Sequence, residues 1–128
     1  MKKLEIEWKH IEKRGNTCIR CADTGEALDK VMDQLANECR PRGWDIIFRE
    51  TILDIENISE SNSILLNGRP IESILPGAIS SESHCESCCD FTDDQFTCCR
   101  TLELDEISYE GIPASIIRRA VCEIADCC

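Results

Sequence analysis

No stretch of the sequence approaches the 18 or so consecutive apolar residues that a bilayer-crossing helix requires, so a transmembrane helix is excluded. Positive charge is scarce. Across 128 residues, 14 Lys and Arg face 25 Asp and Glu, for a net charge of −11. Nucleic acids and anionic membranes attract basic patches, so this balance argues against both as partners. The pairs Lys13-Arg14 and Arg118-Arg119 are too small to reverse it. The first residues, Met1 to Trp8, alternate charge with apolar side chains and lack the continuous apolar core of a secretory signal. Also missing are a Gly-rich phosphate loop, a CxxCH haem motif and a serine-centred nucleophile motif. No internal repeat is visible, and the acidic run Asp90 to Asp94 lacks EF-hand spacing. Aromatics are only 5% of the chain, but apolar residues reach 42%, enough for one small globular core. The length favours a single domain over residues 1–128.

What the chain has in excess is cysteine, 11 residues. In a secreted protein such density means a disulfide framework. Here the number is odd, which forbids complete internal pairing, and no signal segment is seen. The expectation is a cytoplasmic protein whose thiols do chemistry or bind metal.

Leu4, Ile6 and Trp8 alternate with Glu5, Glu7 and Lys9, the period of a half-buried strand. After a polar loop and Cys18-Ile-Arg-Cys21, Asp23 and Glu26 have capping-box spacing. Leu28, Val31, Met32, Leu35 and Cys39 then recur at helical spacing until Pro41 and Gly43. Ile46, Ile47, Phe48, Ile52 and Leu53 predict a second, more buried strand, completing a βαβ unit. Asn67-Gly68 between short apolar runs predicts a hairpin, and Pro70 puts its second strand at an edge. Residues 78–100 are polar, acidic and cysteine-rich, and read as an insertion with little regular structure. Leu102 to Tyr109 suggest a short strand or ribbon. Ile116, Ile117, Ala120, Val121 and Ile124 then mark one face of a last helix.

This α/β order, β-α-β, β-hairpin and C-terminal helix, with a CxxC between the first strand and helix, resembles the thioredoxin-like fold. The likeness covers residues 2–75 and the final helix. More narrowly, the chain is similar to a small uncharacterised prokaryotic family of that fold. The residues carrying this are Cys18-Ile-Arg-Cys21 with Thr24, the hairpin from Ile64 to Glu72, Cys85-x-x-Cys88 with Cys99-Arg100-Thr101, and Gly111-Ile-Pro113. The resemblance implies a fold but no settled activity. Where thioredoxins carry a cis-proline, this chain has Ser59-Glu-Ser-Asn-Ser63.

Cys18 and Cys21 are the sharpest chemical feature. A thiol at a helix N-terminus faces unpaired N–H groups and the positive end of the dipole, which favours thiolate. In a redox reading Cys18 attacks a disulfide and Cys21 resolves the mixed intermediate. The pair also suits half of a metal site or inert packing. A second constellation is Cys85, Cys88 and Cys89 with Cys98 and Cys99, preceded by His84. Four thiolates would close around Zn²⁺ or hold an iron–sulfur cluster, and disulfide bridging is the plainer alternative. Adjacent cysteines recur at 88–89, 98–99 and 127–128. Their Cα atoms stand about 3.8 Å apart against roughly 5.5 Å in a relaxed disulfide, so they favour chelation of a soft ion over pairing. In this they resemble thioredoxin-like metallochaperones for trivalent arsenic or antimony. Cys127 and Cys128 are accordingly a candidate soft-metal or relay pair. Cys39 reads as a core thiol, Cys122 as packed or paired, and His10 as an ordinary strand-end residue.

Two functions fit. One is a thiol–disulfide redox protein with a metal-binding cysteine cluster, acting on a protein thiol or disulfide partner. The other is a soft-metal or metalloid binding protein for storage, delivery or sensing, without catalytic redox.

Overall fold

In the computed structural model, residues 2–12, 19–60, 62–84 and 98–125 are described, with backbone alone at 19–20, 55, 58–59, 81–84 and 98–100. The first strand, β1 (Lys2–Ile11), lies inside a four-stranded sheet of order β2-β1-β3-β4. Its neighbours are β2 (Trp44–Leu53), parallel to it, and β3 (Ser63–Leu66), antiparallel. The two-residue β4 (Arg69–Pro70) is the far edge, antiparallel to β3. Pro70 has no N–H to donate, and an edge position costs it least.

Alternation along β1 sorts its side chains between the two faces of the sheet. Leu4, Ile6, Trp8 and His10 are all buried. Glu5, Glu7 and Lys9 point the other way, where Arg49 lies between Glu5 at 3.7 Å and Glu7 at 3.9 Å. The apolar face is covered by α1 (Ile19–Cys39) and by the last helix, α3 (Ala114–Ala125), which pack on each other. Leu28, Val31, Leu35 and Cys39 are the buried stripe of α1; Ile116, Ile117, Ala120 and Val121 are that of α3. Both follow the stripes read from the sequence, with Met32 and Ile124 only partly buried against the core. At their far end Arg118 donates to Glu38 at 2.8 Å. That hydrogen bond, then one from Gln34, holds the Glu38 carboxyl below its ordinary range.

α1 stops where expected. Arg40–Arg42 tighten into a 3-10 turn and Gly43, at φ 87°, reverses the chain into β2. The Asn67-Gly68 turn is equally faithful, with φ 51° and 81°. Only a residue tolerant of positive φ fits a two-residue hairpin there. Asn67 also accepts the Glu5 N–H through Oδ1 at 2.8 Å, extending the β1–β3 pairing by a side chain.

Three expectations are corrected. The strand β2 is an edge, not a more buried strand: Ile47, Phe48 and Ile52 are 37%, 40% and 54% exposed. Its apolar run reflects β propensity, while the sheet order gives the centre to β1. The helix α1 begins at Ile19, so Asp23 and Glu26 lie within it and form no capping box. Finally, the 78–100 stretch is strand at both ends. Ile79–His84 (β5) pairs antiparallel with Cys98–Leu104 (β6), which turns through Asp105-Glu106 into β7 (Ile107–Tyr109). Of the strand residues whose burial is described, Thr101, Leu102 and Leu104 are buried. Such a mostly polar ribbon carries little periodicity for a sequence reading to find. A one-turn helix, α2 (Ile71–Ile74), links β4 to this second sheet.

Candidate functional site

The carboxyl ends of β1 and β2 and the first turns of α1 converge on one end of the sheet. Cys21 occupies the third position of α1, is a thiol, and has no exposed surface. No acidic residue stands in the first turn of the helix, so no side-chain carboxylate there opposes the positive end of its dipole. Cys18, the preceding member of the CxxC, lies outside the described residues.

One turn further on, Thr24 is wholly buried, and its Oγ1 accepts the Ile112 N–H at 3.0 Å. This bond ties the CxxC helix to the Gly111-Ile-Pro113 segment that starts α3, joining two motifs 88 residues apart. Thr24→Val keeps the shape and removes the acceptor. It is expected to cost about 1–3 kcal/mol, because the buried Ile112 N–H then has no partner there. Urea denaturation would measure it. An unchanged midpoint would mean that the N–H finds another acceptor.

Gly25 is small for a steric reason. A Cβ at this position would stand 2.8 Å from Cη2 of Trp8, so the indole lies directly under the helix backbone. The Trp8 ring stacks on His10 with centroids 3.8 Å apart and planes 18° from parallel. Its Nε1 donates to Asn62 Oδ1 at 3.3 Å, while Asn62 Nδ2 donates to the Glu110 carbonyl at 3.1 Å. Asn62, 3% exposed at φ 65°, thereby joins β1, β3 and the end of the ribbon. His10 is 2% exposed; Nδ1 lies 3.1 Å from the Ile11 carbonyl and Nε2 3.3 Å from Glu50 Oε1. The reading of His10 as an ordinary strand-end residue overlooked this. The signal was present, because the alternation that buries Leu4, Ile6 and Trp8 also buries position 10.

The structure does not bring every candidate residue into view. Cys85, Cys88 and Cys89 lie outside the described residues, as do Cys127 and Cys128. For Cys98 and Cys99 the backbone alone is described. Cys98 pairs with His84 and Cys99 with Ser83 in the β5–β6 register. His84 and Cys98 therefore stand opposite each other at one end of the ribbon. Cys39 and Cys122 are both disulfide-bonded. This corrects the reading of Cys39 as a core thiol and settles Cys122 as paired. No helix among the described residues is long and apolar enough to cross a membrane.

These features define a small mixed α/β protein with a buried thiol on the helix that follows its central strand. The chain belongs to the family described as a domain of unknown function (DUF2703), whose match spans residues 4–121. It is also similar to an uncharacterised protein of Archaeoglobus fulgidus, 33% identical over 118 residues, covering 89% of this chain and 82% of that protein. No solved structure matches the chain. The family span contains the CxxC, the ribbon and its cysteines, and stops short of Cys127-Cys128.

Proposed function

We propose that the chain is a thioredoxin-like thiol–disulfide redox protein in which Cys18 and Cys21 are the reacting dithiol. In this reading the cluster of Cys85, Cys88, Cys89, Cys98 and Cys99 holds zinc or an iron–sulfur cluster. The observation that carries the reading is Cys21, a fully buried thiol in the first turn of the helix after the central parallel strand. Such burial suits a resolving cysteine, because it shields the sulfur from outside oxidants. The thioredoxin-like assignment draws support from the order β2-β1-β3-β4, with β1 and β2 parallel and β3 and β4 antiparallel. Both long helices on one face agree with it. The chain differs in linking β2 to β3 by a 3-10 segment, Ile55–Glu60, instead of a long helix.

The second reading, soft-metal or metalloid binding without catalytic redox, is favoured by the β5–β6 register. That pairing sets Cys98 across from His84, one residue before Cys85. Opposed strand residues stand about 4.5–5.5 Å apart at Cα, so ligands from both arms of the loop start close together. Thiolates suit zinc, iron–sulfur clusters and other soft ions. Replacing both Cys98 and Cys99 by serine is expected to remove bound metal and lower the thermal midpoint. Elemental analysis of anaerobically purified protein checks this. Equal metal content in variant and parent would remove the cluster from the proposal and leave the dithiol standing. The cytoplasm is the proposed setting, where Cys39, with no exposed surface, keeps its disulfide out of reach of small thiols, and a protein disulfide or a soft metal ion is the proposed partner.

The deciding experiment for the redox function is reduction of a protein disulfide by the parent chain with a dithiol as electron donor. A rate no greater than the donor alone would reject that function and leave the metal reading.

A further inference from the structure

A second group of ligand atoms lies apart from the cysteines. His10, Glu12 and Glu50 each offer one donor atom, and the three lie within 4.8 Å of one another. They meet at the carboxyl ends of the parallel strands β1 and β2, the end where open α/β sheets bind ligands. The geometry points to a divalent first-row cation site built from His10 Nε2 and the Glu12 and Glu50 carboxylates.

The juxtaposition of the three donor atoms carries the argument, and the setting of His10 supports it. A carbonyl oxygen only accepts, so Nδ1 at 3.1 Å from the Ile11 carbonyl must be the donor. A neutral imidazole then holds its lone pair on Nε2, which faces the Glu50 carboxylate at 3.3 Å. A divalent cation there would engage this nitrogen and both carboxylates, whose donor atoms all lie within 4.8 Å of one another. Donors about 2.0–2.1 Å from a zinc-class ion in tetrahedral array stand roughly 3.3 Å apart, as His10 Nε2 and Glu50 Oε1 do. Fixing a ligating imidazole through a backbone carbonyl on its other nitrogen is also the usual outer support of a metal-bound histidine. Stacking on Trp8 holds the ring plane as well.

Access is open. Glu12 lines a surface depression of about 430 Å³ together with Ile52, Leu53, Asp54 and Glu56. Asp54 and Glu56 add negative charge at its mouth and favour a cation there. Three protein donors leave coordination positions for water or a small anionic ligand.

Manganese(II) is the probe of choice, because imidazole and carboxylate donors accept it and thiolates favour softer ions. Titrated into the reduced full chain and followed by loss of the free-ion electron paramagnetic resonance signal, it should occupy one site per chain. Glu50→Gln and Glu12→Gln alter solvent-reaching side chains and should each weaken binding by about tenfold or more. His10→Gln should remove the site, and if it fails to fold the two glutamate variants still decide. The proposal is overturned if no stoichiometric site is found or if Glu50→Gln binds as the parent does.

Discussion

Replacing Cys18 by serine is expected to drop disulfide reduction to the rate of the electron donor alone, while Cys21→Ser should stop the reaction after its first half. The two outcomes differ because the two sulfurs have different work. In the proposed cycle the Cys18 thiolate attacks a substrate disulfide. A Cys18–substrate bond forms, the substrate S–S bond breaks, and one substrate sulfur leaves and takes a proton. Cys21 then loses its proton and attacks Cys18, releasing the second substrate thiol and leaving a Cys18–Cys21 disulfide. Two electrons have passed to the substrate, and a dithiol donor returns them. With Cys21 replaced, the mixed disulfide persists and is visible as an adduct by mass spectrometry under non-reducing conditions. The burial of Cys21 sharpens the expectation, since an exogenous thiol cannot readily take the place of a sulfur with no accessible surface. A Cys18→Ser variant as active as the parent would end the redox proposal. The cation site at His10 would be untouched by that result.

The same two variants separate redox from storage. A soft-metal carrier that used Cys18 and Cys21 as ligands would lose metal in both variants and accumulate adduct in neither.

How far the residues announced this arrangement depends on what kind of information each element carries. The central strand, both long helices and the hairpin are written in local terms. Charge alternates with apolar side chains from Leu4 to Trp8, α1 and α3 each present one apolar stripe, and Asn67-Gly68 fits a two-residue turn. The edge position of β2 is not local. Ile47, Phe48 and Ile52 have the composition of a central strand, and only the pairing of β1 with both β2 and β3 reveals which one is inside. Of the ribbon, only the Leu102 to Tyr109 part, the β6–β7 pairing, is legible; β5 is not, for the opposite reason, since Ser80, Ser81 and Ser83 leave no apolar alternation to read. At the site, the CxxC spacing is visible in any reading, but the contacts around it are not. Thr24 meets Ile112 and Trp8 meets Asn62 only after the chain has closed over 88 and 54 residues. Long-range polar partners leave no periodic trace. His10 is intermediate, since its face is predictable and its meeting with Glu50 across β2 is not.

Trp8 is where fold and site depend on the same side chain, and Trp8→Ala is expected to cost about 3–5 kcal/mol, the range for losing a large buried aromatic. The ring is 7% exposed and fills the space that Gly25 leaves in α1. Its removal opens a cavity under the first turns of the CxxC helix, which the helix cannot fill without moving. It also takes away the stacking partner of His10 and the donor to Asn62 Oδ1. Trp8→Phe separates these contributions, keeping a ring beneath Gly25 while withdrawing the indole N–H. That variant should lose about 1–3 kcal/mol, the cost of leaving the buried Asn62 oxygen without its donor. Chemical denaturation of the three proteins gives the ordering parent, Phe, Ala. If Trp8→Ala were as stable as Trp8→Phe, the ring would contribute only through its hydrogen bond, and the contact with Gly25 would be incidental. If the ordering holds, the disulfide-reducing rate should fall further in Ala than in Phe even where both are folded, because the cavity loosens the helix turn that carries Cys21.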